Sequence, residues 1–175
     1  MRDCHIVHYY HAASTPFRSI SRLPKENAFA LARSLHKKHP CVAFKRFGES
    51  CLEWYWERRE AAEHQLYSEF LDIGGKPETR HPVYFALQGS SPIENLYRNF
   101  DKAKMIAISL SHIDPACISF TYGDSVALYE HPARRKPFMR DELYRLIDQY
   151  GNVDAFLSAL DSLYEYIEAQ VWIDL

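Results

Sequence analysis

The chain lacks most of the features that would place it quickly. It has only six glycines in 175 residues, and with 47% apolar residues that points to a well-packed mixed fold rather than a disordered or fibrous chain. Neither charge is in excess. The 21 basic and 23 acidic residues leave a net charge of −2, too weak a field to hold nucleic acid non-specifically, although a local basic patch stays open. Cys4, Cys41, Cys51 and Cys117 form no C-x-x-C pair and read as buried free thiols. No apolar run approaches the roughly 18 residues needed to cross a bilayer. The stretch from Met1 to His8 has no apolar core of the kind a signal peptide carries. The expectation is a cytoplasmic protein with no membrane partner.

Aromatic residues are what the chain has in surplus: twelve Tyr, ten Phe and three Trp. The stretch from His81 to Tyr97 is the best organised. Val83, Tyr84, Phe85, Ala86 and Leu87 form a short run of strand-favouring types, and Gly89 ends it. Ser91 with Glu94 predicts a capping box, with Pro92 at the first helical position. A strand-to-helix junction of this kind presents free N–H groups and a positive dipole end, which suit an anionic ligand. Residues 4–10, 41–47, 103–110 and 117–122 read as further strands. Residues 21–38 read as a helix on the spacing of Ala28, Leu31, Ala32 and Leu35, and 52–71 as the longest helix, stopped by Gly74 and Gly75. Two more follow, at 141–150 and beyond the cap Asn152. From Tyr164 onward Ile167, Ala169, Val171 and Ile173 alternate with Glu168, Gln170, Trp172 and Asp174. That period favours a strand over the alternative of a continued helix. The sum is one α+β domain over residues 1–175, with a mixed or antiparallel sheet of about five to six strands and about four to five helices.

The polar residues sort by face. His5, His8 and His11 would converge on a metal if helical, but on a strand residues three apart point to opposite sides, so no metal is expected. His36 and His39 lie where they meet terminal helix carbonyls. Glu53, Glu57, Glu60, Glu63, Arg58 and Arg59 read as the solvated face of the long helix. Trp54 and Trp56 cannot both be buried. Glu168 is different. It is a carboxylate in an apolar terminal strand, with Gln170 on its face, and it either faces solvent or lines a cleft where it would stabilise a cation or orient a nucleophile.

Several of these pieces resemble the ADP-ribosyltransferase-like fold. The opening from Ile6 to Ser14, followed by Phe17 to Ile20, is similar to the "LYHYT…IL" start of histidine-type members. The stretch from Pro82 to Pro92 with Tyr97 resembles the "PFYF-x-x-RSPMLY" segment of DarT-like DNA ADP-ribosyltransferases. Ile118 to Asp124 is similar to their "FTDGN" segment, and Ile167 to Val171 occupies the place of the strand carrying the catalytic glutamate. Tyr10 stands where threonine is usual, the central segment has no arginine, and Gln170 stands for the second member of an E-x-E pair. The resemblance implies NAD as substrate, with Glu168 as the catalytic carboxylate. It implies His8 on the adenosine-side ribose, Tyr84 or Tyr97 stacked on nicotinamide, and Ser91 among the cofactor-binding residues. The acceptor would be a protein or nucleic acid, approached by the basic loop of Arg134, Arg135 and Lys136. The competing expectation is a non-catalytic protein-binding module, adaptor or immunity-type, presenting Trp54, Tyr55, Trp56 and Trp172 to a protein partner or a second copy.

Overall fold

A computed structural model of the chain describes residues 4–99 and 102–175, with backbone alone at positions 42 and 43; the leader reading at Met1 to Asp3 lies outside them. Among the described residues the fold is α+β, with five strands in one sheet and five α-helices. The strands are β1 (His5–His11), β2 (Val83–Leu87), β3 (Ala103–Ser109), β4 (Ile118–Tyr122) and β5 (Ile167–Val171). They lie in the order β3-β1-β2-β5-β4, every neighbouring pair antiparallel. β5 is therefore a central strand, and the alternation at its end of the chain marks a true strand. β4, at one margin, is capped by a bridge between Phe120 and Phe138.

The helices are α1 (Lys25–Lys38), α2 (Leu52–Asp72), α3 (Ser91–Arg98), α4 (Arg140–Tyr150) and α5 (Val153–Ser158). Asn152 caps α5 by accepting from the Ala155 N–H at 2.8 Å. α1 starts later than its pattern predicts, after a separate 3-10 turn at Ile20–Arg22. Its buried stripe is Ala28, Phe29 and Ala32, while Leu31 is exposed. The expected strand over 41–47 is instead a 3-10 helix, Val42–Phe47. Phe44 and Phe47 are both buried and stack with ring centres 5.8 Å apart. Residues three apart share one side of a 3-10 turn and would point oppositely on a strand, so packing both rings onto α1 and α2 selects the tighter helix.

Registered partners on antiparallel strands point the same way, so the sheet has two chemically distinct faces. One carries Ile6, Val83, Phe85, Leu87, Ile118, Phe120, Ile167, Ala169 and Val171, packed under Leu143 and Ile147 of α4 and Phe156 of α5. The other carries Val7, Tyr84, Ala86, Ser119, Thr121, Glu168 and Gln170. α2 covers this second face, where Phe70 stacks on Trp172 at 5.5 Å. Trp56 is buried and Trp54 is 62% exposed, so the tryptophans divide as their spacing requires.

The end of α2 is closed by Gly74, at φ +94°, and by the Gly75 N–H, which donates to the Phe70 carbonyl at 2.9 Å. A Cβ on Gly75 would come within 2.5 Å of the Phe70 ring. That ring is fully buried against Trp172 and has nowhere to retreat. Gly75→Ala is expected to cost about 1–3 kcal/mol, the usual range for overpacking a dense core. Urea unfolding measures it, and an unchanged midpoint would mean that the Phe70 and Trp172 stack is loose.

Candidate functional site

The polar face of the sheet is built as a hydrogen-bonded row. The Trp172 indole N–H donates to Ser119 Oγ at 2.9 Å, and the Ser119 hydroxyl donates to Gln170 Oε1 at 2.9 Å. The Gln170 amide then donates to Thr121 Oγ1 at 2.8 Å and to Glu168 Oε1 at 2.9 Å. These side chains sit on or just beyond the adjacent strands β4 and β5, so one strand pairing aligns them all.

Glu168 closes the row. Its Oε1 also accepts from the Ser125 N–H at 3.1 Å and the Ser125 hydroxyl at 2.6 Å, and Oε2 accepts from the Tyr166 hydroxyl at 3.3 Å. Ser125 is delivered by a turn after β4. There Gly123 adopts φ +71°, and Asp124 accepts the N–H groups of Val126 and Ala127. Burial, and next the charge of Asp124, push the Glu168 carboxyl up to about 8 against the opposing pull of its Ser125 and Gln170 donors. Burial also raises the phenols around it. Tyr166 and Tyr84 lie well above the ordinary tyrosine range, Tyr166 with a further push from Glu168 and Tyr84 from Glu63.

α2 contributes a second cluster on the same face. Glu63 has no exposed surface, and its Oε1 accepts from Ser21 Oγ at 3.0 Å, Arg59 Nε at 2.8 Å and the Tyr84 hydroxyl at 3.2 Å. Its Oε2 accepts from His81 Nδ1 at 2.6 Å. Burial alone would raise this carboxyl. The Arg59 guanidinium, then the His81 and Ser21 hydrogen bonds, outweigh it and hold Glu63 below the usual carboxylate range. Arg59 also donates to the Tyr55 hydroxyl at 2.7 Å, as Arg46 does at 3.3 Å. Burial raises the Tyr55 phenol, but the two guanidinium groups bring it below its ordinary value. Arg59 further lies 4.9 Å from the Tyr84 ring centre. Glu63 and Arg59 are thus interior residues and not part of a solvated face. The spacing held the signal: Glu63 stands seven residues from both Trp56 and Phe70, on their buried stripe.

Of the residues the sequence singled out, Glu168, Tyr84 and Tyr97 meet on this face. Tyr97 projects from α3 and stacks on Tyr9 at 4.5 Å. Burial raises its hydroxyl, and the charges of Arg46, Asp124 and Glu168 all act on it. His8 does not join them. It lies on the opposite face between Phe17 and Phe85, at 5.1 and 5.3 Å. Its Nε2 accepts the Phe17 N–H at 3.1 Å, which leaves Nδ1 to donate to the Tyr84 carbonyl at 2.9 Å. Both ring nitrogens serve the backbone, and burial lowers the imidazole pKa. His8 braces β1 against β2.

Ser91 lines a different depression, of about 340 Å³, whose wall includes Leu157, Asp161 and Glu165. The cap of α3 is Ser90, one residue earlier than the pattern predicts, and its side chain makes no capping bond; instead of closing a box, Glu94 Oε1 accepts the Gly89 N–H at 3.2 Å, one residue before the cap. His36 bonds the Phe44 carbonyl outside its own helix. Arg134 is held by Glu69 through two hydrogen bonds, at 3.0 and 2.6 Å, and Arg135 lies over the Tyr122 and Tyr164 rings. Two of the three basic loop residues are therefore engaged within the fold. Tyr55, Trp56 and Trp172 are buried, which leaves Trp54 alone of the expected aromatic contact surface. Cys4 and Cys117 are buried and in no disulfide, whereas Cys51 is exposed. No group of three metal-ligating side chains gathers among the described residues, and no helix there is long and apolar enough to cross a membrane.

No protein-family model, curated protein or solved structure matches the chain.

The raised Glu168 carboxyl makes a stability prediction with a definite sign. An acid whose pKa is higher folded than unfolded holds its proton more tightly in the native state. Stability then falls as pH rises from the unfolded value near 4.5 to about 8 and stays low above it. In Glu168→Gln the amide oxygen keeps the Ser125 and Gln170 donors, and the NH2 donates to Tyr166. The variant is expected to melt above the wild type at pH 9 and close to it at pH 4, a gap of a few kcal/mol at about 1.4 kcal/mol per pKa unit. A gap of constant size across that range would show that the carboxyl is not displaced.

Proposed function

We propose that the polar face binds NAD and that Glu168 promotes cleavage of the nicotinamide–ribose bond, as in an ADP-ribosyltransferase-like enzyme. The observation that supports this most is the setting of Glu168. Its carboxyl is buried among neutral donors, and the half-buried phenols of Tyr84, Tyr97 and Tyr166 stand around it. Bond cleavage sends the electron pair to the departing nicotinamide and builds positive charge on the ribose, and water or an acceptor nucleophile then bonds to that carbon and gives up its proton. A carboxylate beneath that carbon stabilises the charge in a site of low dielectric.

Burial and the charge of Asp124 favour the protonated form of the Glu168 carboxyl. A pyridinium cation brought beside it favours the ionised form, so binding and deprotonation assist each other. The aromatic rings of Tyr84 and Tyr97 offer the flat surface that nicotinamide needs. Tyr9 supports Tyr97 from below by stacking. His8 acts only through the backbone of Tyr84, holding the strand that carries the ring.

The test is nicotinamide release from NAD, followed by proton NMR on the wild type and on Glu168→Gln. Turnover is expected to drop by about 10²–10³ in the variant, the cost of losing a main electrostatic stabiliser. The wild-type kcat/KM should climb with pH and level off above about 8, as the free carboxyl ionises. No nicotinamide release from the wild type at millimolar NAD would refute the proposal.

A further inference from the structure

The outer end of the Glu63 cluster opens on a surface pocket of about 190 Å³ lined by Glu60, His64, Arg80 and His81. None of these residues takes part in the chemistry proposed for Glu168. We propose that this pocket is a second ligand site, taking a small hydroxylated phosphate monoester of the sugar-phosphate class, with Arg80 and His81 on the phosphate and Glu60 on the hydroxyls.

His81 is fixed to an unusual degree for a residue at a surface opening. Its Nδ1 lies 2.6 Å from Glu63 Oε2, and its carbonyl accepts from Arg22 Nε at 2.9 Å and from the Thr79 hydroxyl at 3.1 Å. Arg22 is itself held by Thr79, the Ile173 carbonyl and Asp174. The buried carboxylate fixes the tautomer, with the proton on Nδ1, so Nε2 is the nitrogen left to the pocket. Among the described residues no hydrogen bond is made at that nitrogen.

Glu63 needs no help from His81 to be neutralised, because Arg59 already lies 2.8 Å from its other oxygen. The second bond therefore orients the imidazole. With its Nδ1 proton donated inward to Glu63, the ring presents Nε2 to the opening as an acceptor for the acidic hydroxyl of a phosphate monoester.

The other charges around the opening fit the same ligand. Arg80 is exposed and anchored over the Tyr67 ring at 5.7 Å, leaving its fork available to a phosphate. His64 and Glu60 stand four residues apart on α2, so they share one rim of the pocket. A carboxylate there disfavours a bare phosphate dianion and accepts hydrogen bonds from hydroxyl groups. The volume is below the roughly 300–1,000 Å³ of sites for drug-sized ligands, which suits a sugar phosphate and excludes a dinucleotide.

The test uses the full chain and two probes, ribose 5-phosphate and inorganic phosphate, followed through the histidine ring nitrogens by 15N NMR. The free protein should show His81 with its proton on Nδ1. Ribose 5-phosphate should shift the His81 Nε2 resonance saturably and bind more tightly than phosphate. Arg80→Gln, at an exposed position, should weaken binding by about ten-fold or more, and Glu60→Gln should remove the preference for the sugar phosphate. Glu168→Gln should leave both unchanged, which separates this site from the one proposed at Glu168. A His81 proton on Nε2, no shift at millimolar probe, or equal binding by wild type and Arg80→Gln would each overturn the proposal.

Discussion

A carboxylate with no access to solvent ties together the parts of this molecule that are far apart in sequence. Glu63 sits on α2 and accepts hydrogen bonds from Ser21, Arg59, His81 and Tyr84. Those donors come from the turn before α1, from α2 itself, from the loop before β2, and from β2. A buried ion pair adds little net stability over an apolar substitute, but losing one partner costs about 3–5 kcal/mol, because the other charge is left stranded. The cluster therefore fixes geometry more than it adds stability. Turning or sliding α2 on the sheet would leave several buried polar groups unmatched at once.

That constraint explains why the sheet tolerates two faces of opposite character. The apolar face needs only volume, and α4 and α5 fill it with leucine, isoleucine and phenylalanine. The polar face needs each donor matched to an acceptor. It meets that need along the strands, from Trp172 through Ser119 and Gln170 to Glu168, and across to the helix through Tyr84 and Glu63. His8, on the apolar side, is satisfied entirely by backbone.

The elements were legible in the sequence where one period dominated. β2 and β4 announced themselves by β-branched and aromatic runs, β5 by its alternation, α2 by its stripe and its closing glycines, and α5 by Asn152. Residues 41–47 misled because a short apolar run between Pro40 and Gly48 suits a strand, whereas Phe44 and Phe47 pack at the spacing of a 3-10 turn. Glu168 stood out as a carboxylate in an apolar strand. Glu63 and Arg59 did not, since a charge pair four residues apart on a charged helix ordinarily lies in solvent. The seven-residue spacing put Glu63 in line with Trp56 and Phe70, but only tertiary packing shows that this line is buried and that Arg59 reaches into it. The face occupied by His8 depended on the register of β1 against β2, which a single strand pattern does not contain.

The two buried carboxyls of the polar face make an instructive pair. Glu63 was given a guanidinium, and its carboxyl is held low; Glu168 was given hydroxyls, an amide and a backbone N–H, and its carboxyl is held high. Neutral donors satisfy the oxygens but do not offset a full charge in a site of low dielectric. Asp124, close by, makes the deficit larger. A carboxyl whose role was to secure the fold would be better served by the arrangement at Glu63. A carboxyl left without a counter-cation destabilises the folded chain whenever it ionises, and that cost is recovered only when something positive enters beside it. This asymmetry between two glutamates on one face is the physical argument behind proposing Glu168, and not Glu63, as the carboxyl that meets a ligand.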